Sequence, residues 1–274
     1  MPHHHRFPLF ITALLLLVGP LHGARASILL PGGGTYTQNF NTLPAATTAD
    51  GDPWVNDVTL PGWYAELGNQ SHERAGTIRA GNGANDHGRL WSFGPTGSSD
   101  RSLGGIASGS VGAVAFGVQF QNTSGQVLTF DSLSFWAEEW RSNPGLAATL
   151  DLYYQVSTTE ITSLLPVSGW TALSDLTFTA PVSGSTSAID GKATGNREFL
   201  SADHLSLSLN PGEYILFRWV NGTTATGRQF GLAIDDFEIS YRTVPEAGAN
   251  GLLLLGLGGF AFLRLYRRRV TSRR

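Results

Sequence analysis

The 274-residue chain has no cysteine, which excludes a disulfide framework, a thiol nucleophile, a zinc ribbon and an iron–sulfur site. Any fold must be held by packing and hydrogen bonds alone. Lysine is nearly absent as well: of 18 basic residues, only Lys192 is not an arginine. The net charge of −3 hides an asymmetry, because residues 27–243 carry 20 acidic and 10 basic side chains, a balance of −10. That sign is wrong for a nucleic-acid binder. This middle also lacks apolar spacing of helical period sustained over three turns, so a helical core is not expected. Missing too are a Gly-x-Ser-x-Gly elbow, a His-Glu-x-x-His helix, a phosphate-cradling Gly-x-x-x-x-Gly-Lys loop and a dinucleotide-binding Gly-x-Gly-x-x-Gly unit, so no common catalytic motif is present.

What is present begins with the two ends. Residues 1–26 have a mildly basic start at His3, His4, His5 and Arg6, an apolar stretch over 7–18, and the small-x-small site Ala24-Arg25-Ala26. This is the pattern of a secretory signal peptide removed by signal peptidase. A membrane anchor is the alternative, but Gly19-Pro20 closes the apolar run after about twelve residues, too few to cross a bilayer. At the other end, Val244, Pro245 and Glu246 precede a Gly- and Leu-rich apolar segment over 247–266, then a basic tail over 267–274 that opens with Arg267, Arg268 and Arg269. About twenty residues at a rise of 1.5 Å make a helix of about 30 Å, one hydrocarbon core thick. The arginines would stay on the cytoplasmic side and leave the rest of the mature chain outside.

Over its last thirty or so residues this arrangement of Val244-Pro245-Glu246, apolar helix and arginine cluster resembles the PEP-CTERM sorting signal of Gram-negative, biofilm-forming environmental bacteria. The family commonly has a second proline after the glutamate, where this chain has Ala247. The resemblance implies an exosortase as partner, which would recognise the Pro-Glu region, process the chain near it, and release or attach the product at the cell surface or matrix after transit through the inner membrane. A plain single-span anchor is the alternative.

The middle reads as strands. Val114, Phe116, Val118 and Phe120 alternate with smaller or polar residues; so do Leu150, Leu152, Tyr154 and Val156; Leu205, Leu207 and Leu209; and Ile215, Phe217 and Trp219. Two segments change parity midway. Leu128 and Phe130 are even but Leu133 and Phe135 odd, and Leu232 and Ile234 are even but Phe237, Ile239 and Tyr241 odd. Because side chains alternate faces with period two, bulges or corners are predicted at Asp131-Ser132 and at Asp235-Asp236. Turns such as Asn122-Thr-Ser-Gly125 and Asn210-Pro-Gly212 favour antiparallel connections. The expected fold is all-β: one jelly-roll-like antiparallel β-sandwich over residues 27–243, with loop-rich excursions at 67–85 and 182–195.

Several segments of this middle, Phe40-Asn41-Thr42-Leu43, Leu60-Pro61-Gly62-Trp63-Tyr64, Ser99-Asp100-Arg101-Ser102-Leu103-Gly104, Glu138-Glu139-Trp140-Arg141 and Ala233-Ile234-Asp235-Asp236-Phe237, resemble a recurrent domain of PEP-CTERM surface proteins. The opening and closing segments are also similar to MAM-type and other concanavalin-like jelly rolls. That resemblance implies an adhesive or ligand-binding domain.

Two clusters could carry chemistry. Asp235 and Asp236 at the strand break, with Asp100 or Asp86 from flanking loops, could supply the oxygens of a calcium site, since Ca²⁺ takes six to eight oxygen ligands. Equally, one aspartate would cap a turn and the other pair with Arg101 or Arg218. Trp136, Glu138 and Trp140 fall on one strand face, and an aromatic ring beside a carboxylate is how a sugar is commonly held. Such a patch would need Trp54, Trp63 or Trp91 nearby; otherwise the tryptophans are core and Arg141 pairs with Glu139. Adjacent Glu138 and Glu139 point to opposite faces, which is unsuited to the paired carboxylates of a glycosidase. The sequence therefore points to a non-enzymatic exported protein that binds polysaccharide or a protein partner, with an extracellular carbohydrate-active hydrolase on the same scaffold as the alternative.

Overall fold

The computed structural model describes residues 27–145, 148–165, 168–222 and 229–245. The proposed signal peptide, and the sorting segment from Glu246 onward with its apolar stretch 247–266 and Arg267, Arg268 and Arg269, lie outside these residues. No helix among the described residues is long and apolar enough to cross a membrane.

In chain order the strands are β1 (Ile28–Leu30), β2 (Gly34–Gln38), β3 (Asp52–Pro53), β4 (Trp63–Leu67), β5 (Thr77–Gly81), β6 (Arg89–Phe93), β7 (Ser102–Ile106), β8 (Val114–Asn122), β9 (Val127–Ser142), β10 (Thr149–Ser157), β11 (Thr171–Ala172), β12 (Phe178–Thr179), β13 (Ser187–Ala188), β14 (Arg197–Leu209), β15 (Tyr214–Asn221) and β16 (Gly231–Val244). They form two sheets. The first is built on β8, β15 and β10, with β1 and β4 on the outer edge of β8 and β11 and β12 on that of β10. The second runs from β13 and β14 through β9 and β16 to β7 and β2, then through β6 and β5 to β3. The connections β7–β8, β8–β9, β9–β10, β14–β15 and β15–β16 each cross from one sheet to the other, so the expected all-β sandwich is present with jelly-roll-like wiring.

The predicted alternation supplies the layer between the sheets. Phe116, Val118 and Phe120 of β8 and Phe217 and Trp219 of β15 meet Phe130, Leu133 and Phe135 of β9 and Ile234, Phe237 and Ile239 of β16, all buried. Both predicted bulges exist. On β9 the register slips at Asp131, because Ser240 faces Ser132 but Tyr241 faces Phe130. On β16 it slips between Asp235 and Glu238, where Asp236 takes a left-handed φ of 47°. In β14 the simple alternation fails: His204 (φ 58°) and Ser206 (φ 50°) interrupt pairing between Asp203 and Leu207.

One feature of the fold was hidden from the pattern: both sheets are also buried on their outer faces. All nine residues of β8 are buried, although half were expected to face solvent. The connection after β10 folds back over the first sheet, where Ile161 and Leu164 pack on Tyr64, Ala115 and Leu216. Polar clamps hold it there. Gln119 accepts the Ile161 N–H at 2.7 Å, Glu66 accepts the Leu165 N–H at 3.2 Å, and Arg218 donates to the Leu164 carbonyl beneath Trp170. The second sheet is covered by residues 82–88 and by the excursion 182–196. That cover creates the candidate site.

Candidate binding groove and ionic cluster

The outer face of the second sheet follows from register. Trp91 and Phe93 of β6 face Gly104 and Ser102 of β7; Gly104 faces Ala233 of β16; Ala233 and Asp235 face Glu138 and Trp136 of β9; and these face Arg197 and Phe199 of β14. Gly104 and Ala233 in the middle leave room for a flat aromatic stack. Trp91, Phe93 and Trp140 lie in series with centroids 5.7 and 6.0 Å apart and nearly parallel rings, and Ile106 and Ala233 complete the cluster.

Two glycines allow the covering loops to close on this stack. Gly83 has a φ of +85°, and a side-chain carbon there would lie 1.8 Å from the Trp140 carbonyl. At Gly191 the same atom would fall 2.5 Å from the Trp140 ring. Arg141 secures the first loop by donating to the carbonyls of Gly83 (2.9 Å) and Ala84 (3.3 Å). The second loop is tied down by Ile189 N–H on the Trp140 carbonyl and Glu139 N–H on the Asn196 carbonyl. Between the two covers lies a groove of about 360 Å³, lined by Asn82, Pro95, Thr96, Trp140, Ala188, Ile189 and Asp190.

The tight turn 190–196 delivers Lys192 beside this groove. Asp190 accepts the Lys192 backbone N–H at 3.0 Å, and Asn196 donates to the Asp190 carbonyl at 2.9 Å. The Lys192 ammonium contacts Asp235 Oδ2 directly, with Glu138 Oε1 and Asp100 Oδ1 both at 3.3 Å. Glu138 is wholly buried; its Oε2 accepts from Ser102 Oγ and, at 2.9 Å, from Trp140 Nε1. Asp235 Oδ1 accepts the Asp236 N–H at 2.8 Å, a contact made by the left-handed bulge itself. Burial pushes the Glu138 carboxyl up, against the pull of Lys192, Ser102 and Trp140. Burial likewise raises Asp235 to about 7. For Lys192 burial works downward, but Glu138, Asp235 and Asp100 together hold the ammonium above its ordinary value.

These positions revise the sequence expectations residue by residue. Asp235 and Asp100 do come together, but around an ammonium where a calcium ion was expected. Asp236 is not with them: its side chain is exposed and lines a separate surface depression with Gln38 and Glu238. No group of three or more His, Cys, Asp or Glu residues arranged for a metal occurs among the described residues, and Lys192 lies between Asp235, Glu138 and Asp100. Neither arginine expected as counter-ion serves Asp235. Arg101 is buried on Ser92 Oγ (3.0 Å) and the Ser92 carbonyl, and Arg218 belongs to the opposite sheet. Trp136, Glu138 and Trp140 share a face as expected, but they do not form an open platform. Glu138 and Trp140 are buried, while Trp136 is half-buried with the Arg197 guanidinium 4.2 Å over its ring and the exposed Phe199 at 5.3 Å. Trp54 and Trp63 lie in the core; Trp91 belongs to the same buried stack as Trp140, with Phe93 between them. Glu139 points to the inner side, accepts the Val182 N–H at 2.8 Å, and does not meet Arg141. Of the sorting motif, Val244 is the last ladder residue of β16, opposite Val127, and Pro245 follows it directly.

Lys192 is the residue of this cluster that sequence reasoning missed. Its only signal was rarity, a single lysine in a Gly-, Ser- and Thr-rich stretch.

No protein-family model matches this chain, and neither does any curated protein. Among solved structures, it is similar to the K3 cleaved adhesin domain of Lys-gingipain from Porphyromonas gingivalis at 14% identity, covering 75% of this chain and 98% of that one, with a TM-score of 0.36. It is also similar to TmCBM27, a carbohydrate-binding module that recognises mannan (12% identity, 76% and 96% covered, TM-score 0.34). A third is the CBM22-1 xylan-binding domain of Xyn10C from Paenibacillus barcinonensis (10%, 79% and 99%, TM-score 0.30). Scores this low leave the site to be argued from the chain itself.

Proposed function

We propose that this is an exported cell-surface or matrix protein, sorted by an exosortase, whose sandwich binds polysaccharide without catalysis in the groove beside Trp140. The observation that carries this reading is the groove's make-up. Over the buried Trp140, the apolar Pro95, Ala188 and Ile189 lie beside Asn82, Thr96 and Asp190, the mixture of apolar contact and hydrogen-bonding groups that a sugar requires. A non-catalytic role is supported by where the carboxylates go. Glu138 and Asp235 are buried on Lys192, which leaves Asp190 as the carboxylate among the described groove residues. Glycoside hydrolysis asks for two carboxyl groups facing one another across the substrate.

A glycan array probed with the full chain tests the binding. Binding to a polysaccharide class is expected, and Thr96→Arg, which fills the groove mouth, is expected to weaken it by roughly tenfold or more through steric exclusion. Binding that survives Thr96→Arg undiminished, or capture of a protein partner with no glycan bound, would remove the groove from the proposal.

Delivery is supported by the two terminal patterns of the sequence. Proline cannot donate to a ladder, so Pro245 ends β16 directly after Val244. Mass spectrometry of the native protein, made with and without the sorting enzyme, is expected to find a C-terminus near residue 246 only when the enzyme is present. A chain ending at Arg274 in both would mean a plain anchor.

A further inference from the structure

We propose that Lys192 and Asp235 become joined by an intramolecular isopeptide bond, formed without a cofactor and assisted by Glu138. Three features of the cluster point there. First, the amine and the carboxyl are in direct contact while mostly screened from water: 17% of the Lys192 side chain and 3% of the Asp235 side chain are exposed, and none of Glu138. Second, each carboxyl presents one oxygen to the lysine and anchors the other. Asp235 turns Oδ2 to Lys192 and gives Oδ1 to the Asp236 amide. Glu138 turns Oε1 to Lys192 and gives Oε2 to Ser102 and Trp140. Third, Oε1 of Glu138 is buried with no hydrogen-bond partner beyond the 3.3 Å approach of the ammonium, as befits a group that exchanges protons with it. The fourth charge on the cluster, Asp100, sits at the solvent side, half exposed.

The step balances without oxidant or activating group. Glu138 takes a proton from the Lys192 ammonium, and the freed amine attacks Cγ of Asp235. Charge that builds on Oδ1 in the tetrahedral intermediate falls on the Asp236 N–H, a preorganised backbone donor. The nitrogen gives up two protons in all, which Glu138 relays to Oδ2. The new bond is Nζ–Cγ, the bond broken is Cγ–Oδ2, and one water leaves with Glu138 restored. In the product the amide N–H faces Glu138 and the amide oxygen keeps the Asp236 N–H, so the buried polar groups stay paired. A buried carboxyl with a raised pKa suits this relay, since it accepts a proton more readily than an exposed carboxylate. The bond would fasten the 182–196 cover to β16, closing the groove's floor covalently in a chain that has no cysteine to do so.

Trypsin digestion of the purified full-length protein, followed by peptide mass spectrometry, reads the bond directly. The expected product is peptide 142–197 joined to peptide 229–242, lighter by one water than the two linear peptides together, with cleavage after Lys192 blocked. A folded sample that yields a linear peptide ending at Lys192 and an unmodified 229–242 would overturn the proposal. Glu138→Gln, checked for native tryptophan fluorescence, is expected to leave the two side chains unlinked or to link them about a hundredfold more slowly. If that variant does not fold, Glu138→Asp, which keeps the charge but draws the carboxylate back from the ammonium, is expected to slow linkage in the same direction. Linkage at the wild-type rate in a folded variant would remove Glu138 from the mechanism.

Discussion

Trp219→Ala is expected to cost about 3–5 kcal/mol, the usual penalty for truncating a fully buried tryptophan. Domains of this size are commonly stable by only about 5–15 kcal/mol, so much of the folded population would be lost at elevated temperature. The location explains the size of the effect. Trp219 is wholly buried and stacks between Trp63 (5.9 Å, 16°) and Phe116 (6.1 Å, 12°). Phe135 and Phe237 from the opposite sheet meet its edges at 5.3 and 5.5 Å. Four rings from both sheets would thus border the vacated volume, and rings fixed in two sheets cannot collapse into it. Trp219→Phe separates shape from polarity. The indole N–H has no hydrogen-bond partner among the described residues, so removing it orphans nothing, and phenylalanine should cost only the lost volume, about 1–2 kcal/mol. Urea midpoints at unchanged slope read both values. A cost below about 1 kcal/mol for the alanine variant would mean that the two sheets do not pack through this residue.

Stability is expected to fall as pH rises from about 4.5 to 7, and Glu139→Gln is expected to remove the part of that fall that Glu139 carries. Glu139 is fully buried, with one oxygen on the Val182 N–H and the other unpartnered. Burial raises its carboxyl from 4.5 to about 7, against the lowering effect of the Val182 bond. Below pH 4.5 the group is protonated in both folded and unfolded chains. Between 4.5 and about 7 the unfolded chain releases the proton while the folded chain keeps it, so each step up in pH favours unfolding; above about 7 both forms are ionised and the loss is complete. At about 1.4 kcal/mol per pH unit of difference, the loss is on the order of 3 kcal/mol. Glutamine keeps an oxygen for Val182 and cannot ionise, so the variant should match wild type near pH 5 and exceed it at pH 8. Parallel curves for the two proteins would show that Glu139 is not held neutral in the fold. Asp235, raised to about 7, adds to the slope only while its carboxyl is free. If the Lys192 amide forms, Glu139 and Glu138 carry the effect.

The inner register was legible in the sequence because the space between two sheets demands one apolar side chain at every second position. Even the irregularities could be read: the change from Phe130 to Leu133 and from Ile234 to Phe237 located the bulges at Asp131 and Asp236, since an odd step is the only way to keep apolar groups inside. Such reasoning fails on the outer faces. Gln119, Arg141, Glu138 and Arg218 look like solvent-facing strand residues, and each is buried because a distant loop lies over it. The bulge at Trp140, where the register slips between Gly231 and Leu232, left no parity signal because Glu138, Glu139 and Trp140 follow no apolar alternation. Lys192 sits in a polar stretch with no periodicity at all, and its partners Asp235, Glu138 and Asp100 are 43, 54 and 92 residues away.

Composition and two-residue periodicity by themselves determined the all-β architecture, the faces turned toward the core, the places where the strands break step, and the terminal patterns that suggest export. Tertiary structure alone decided which carboxylates meet, that the Lys192 ammonium lies among them, and that Trp140 is the floor of a covered groove rather than an open platform. The division has a physical cause. Alternation records which side of a strand is apolar, a local property of neighbouring residues, whereas the neutralising partner of a buried charge is set by how far-off loops fold back across the sheet.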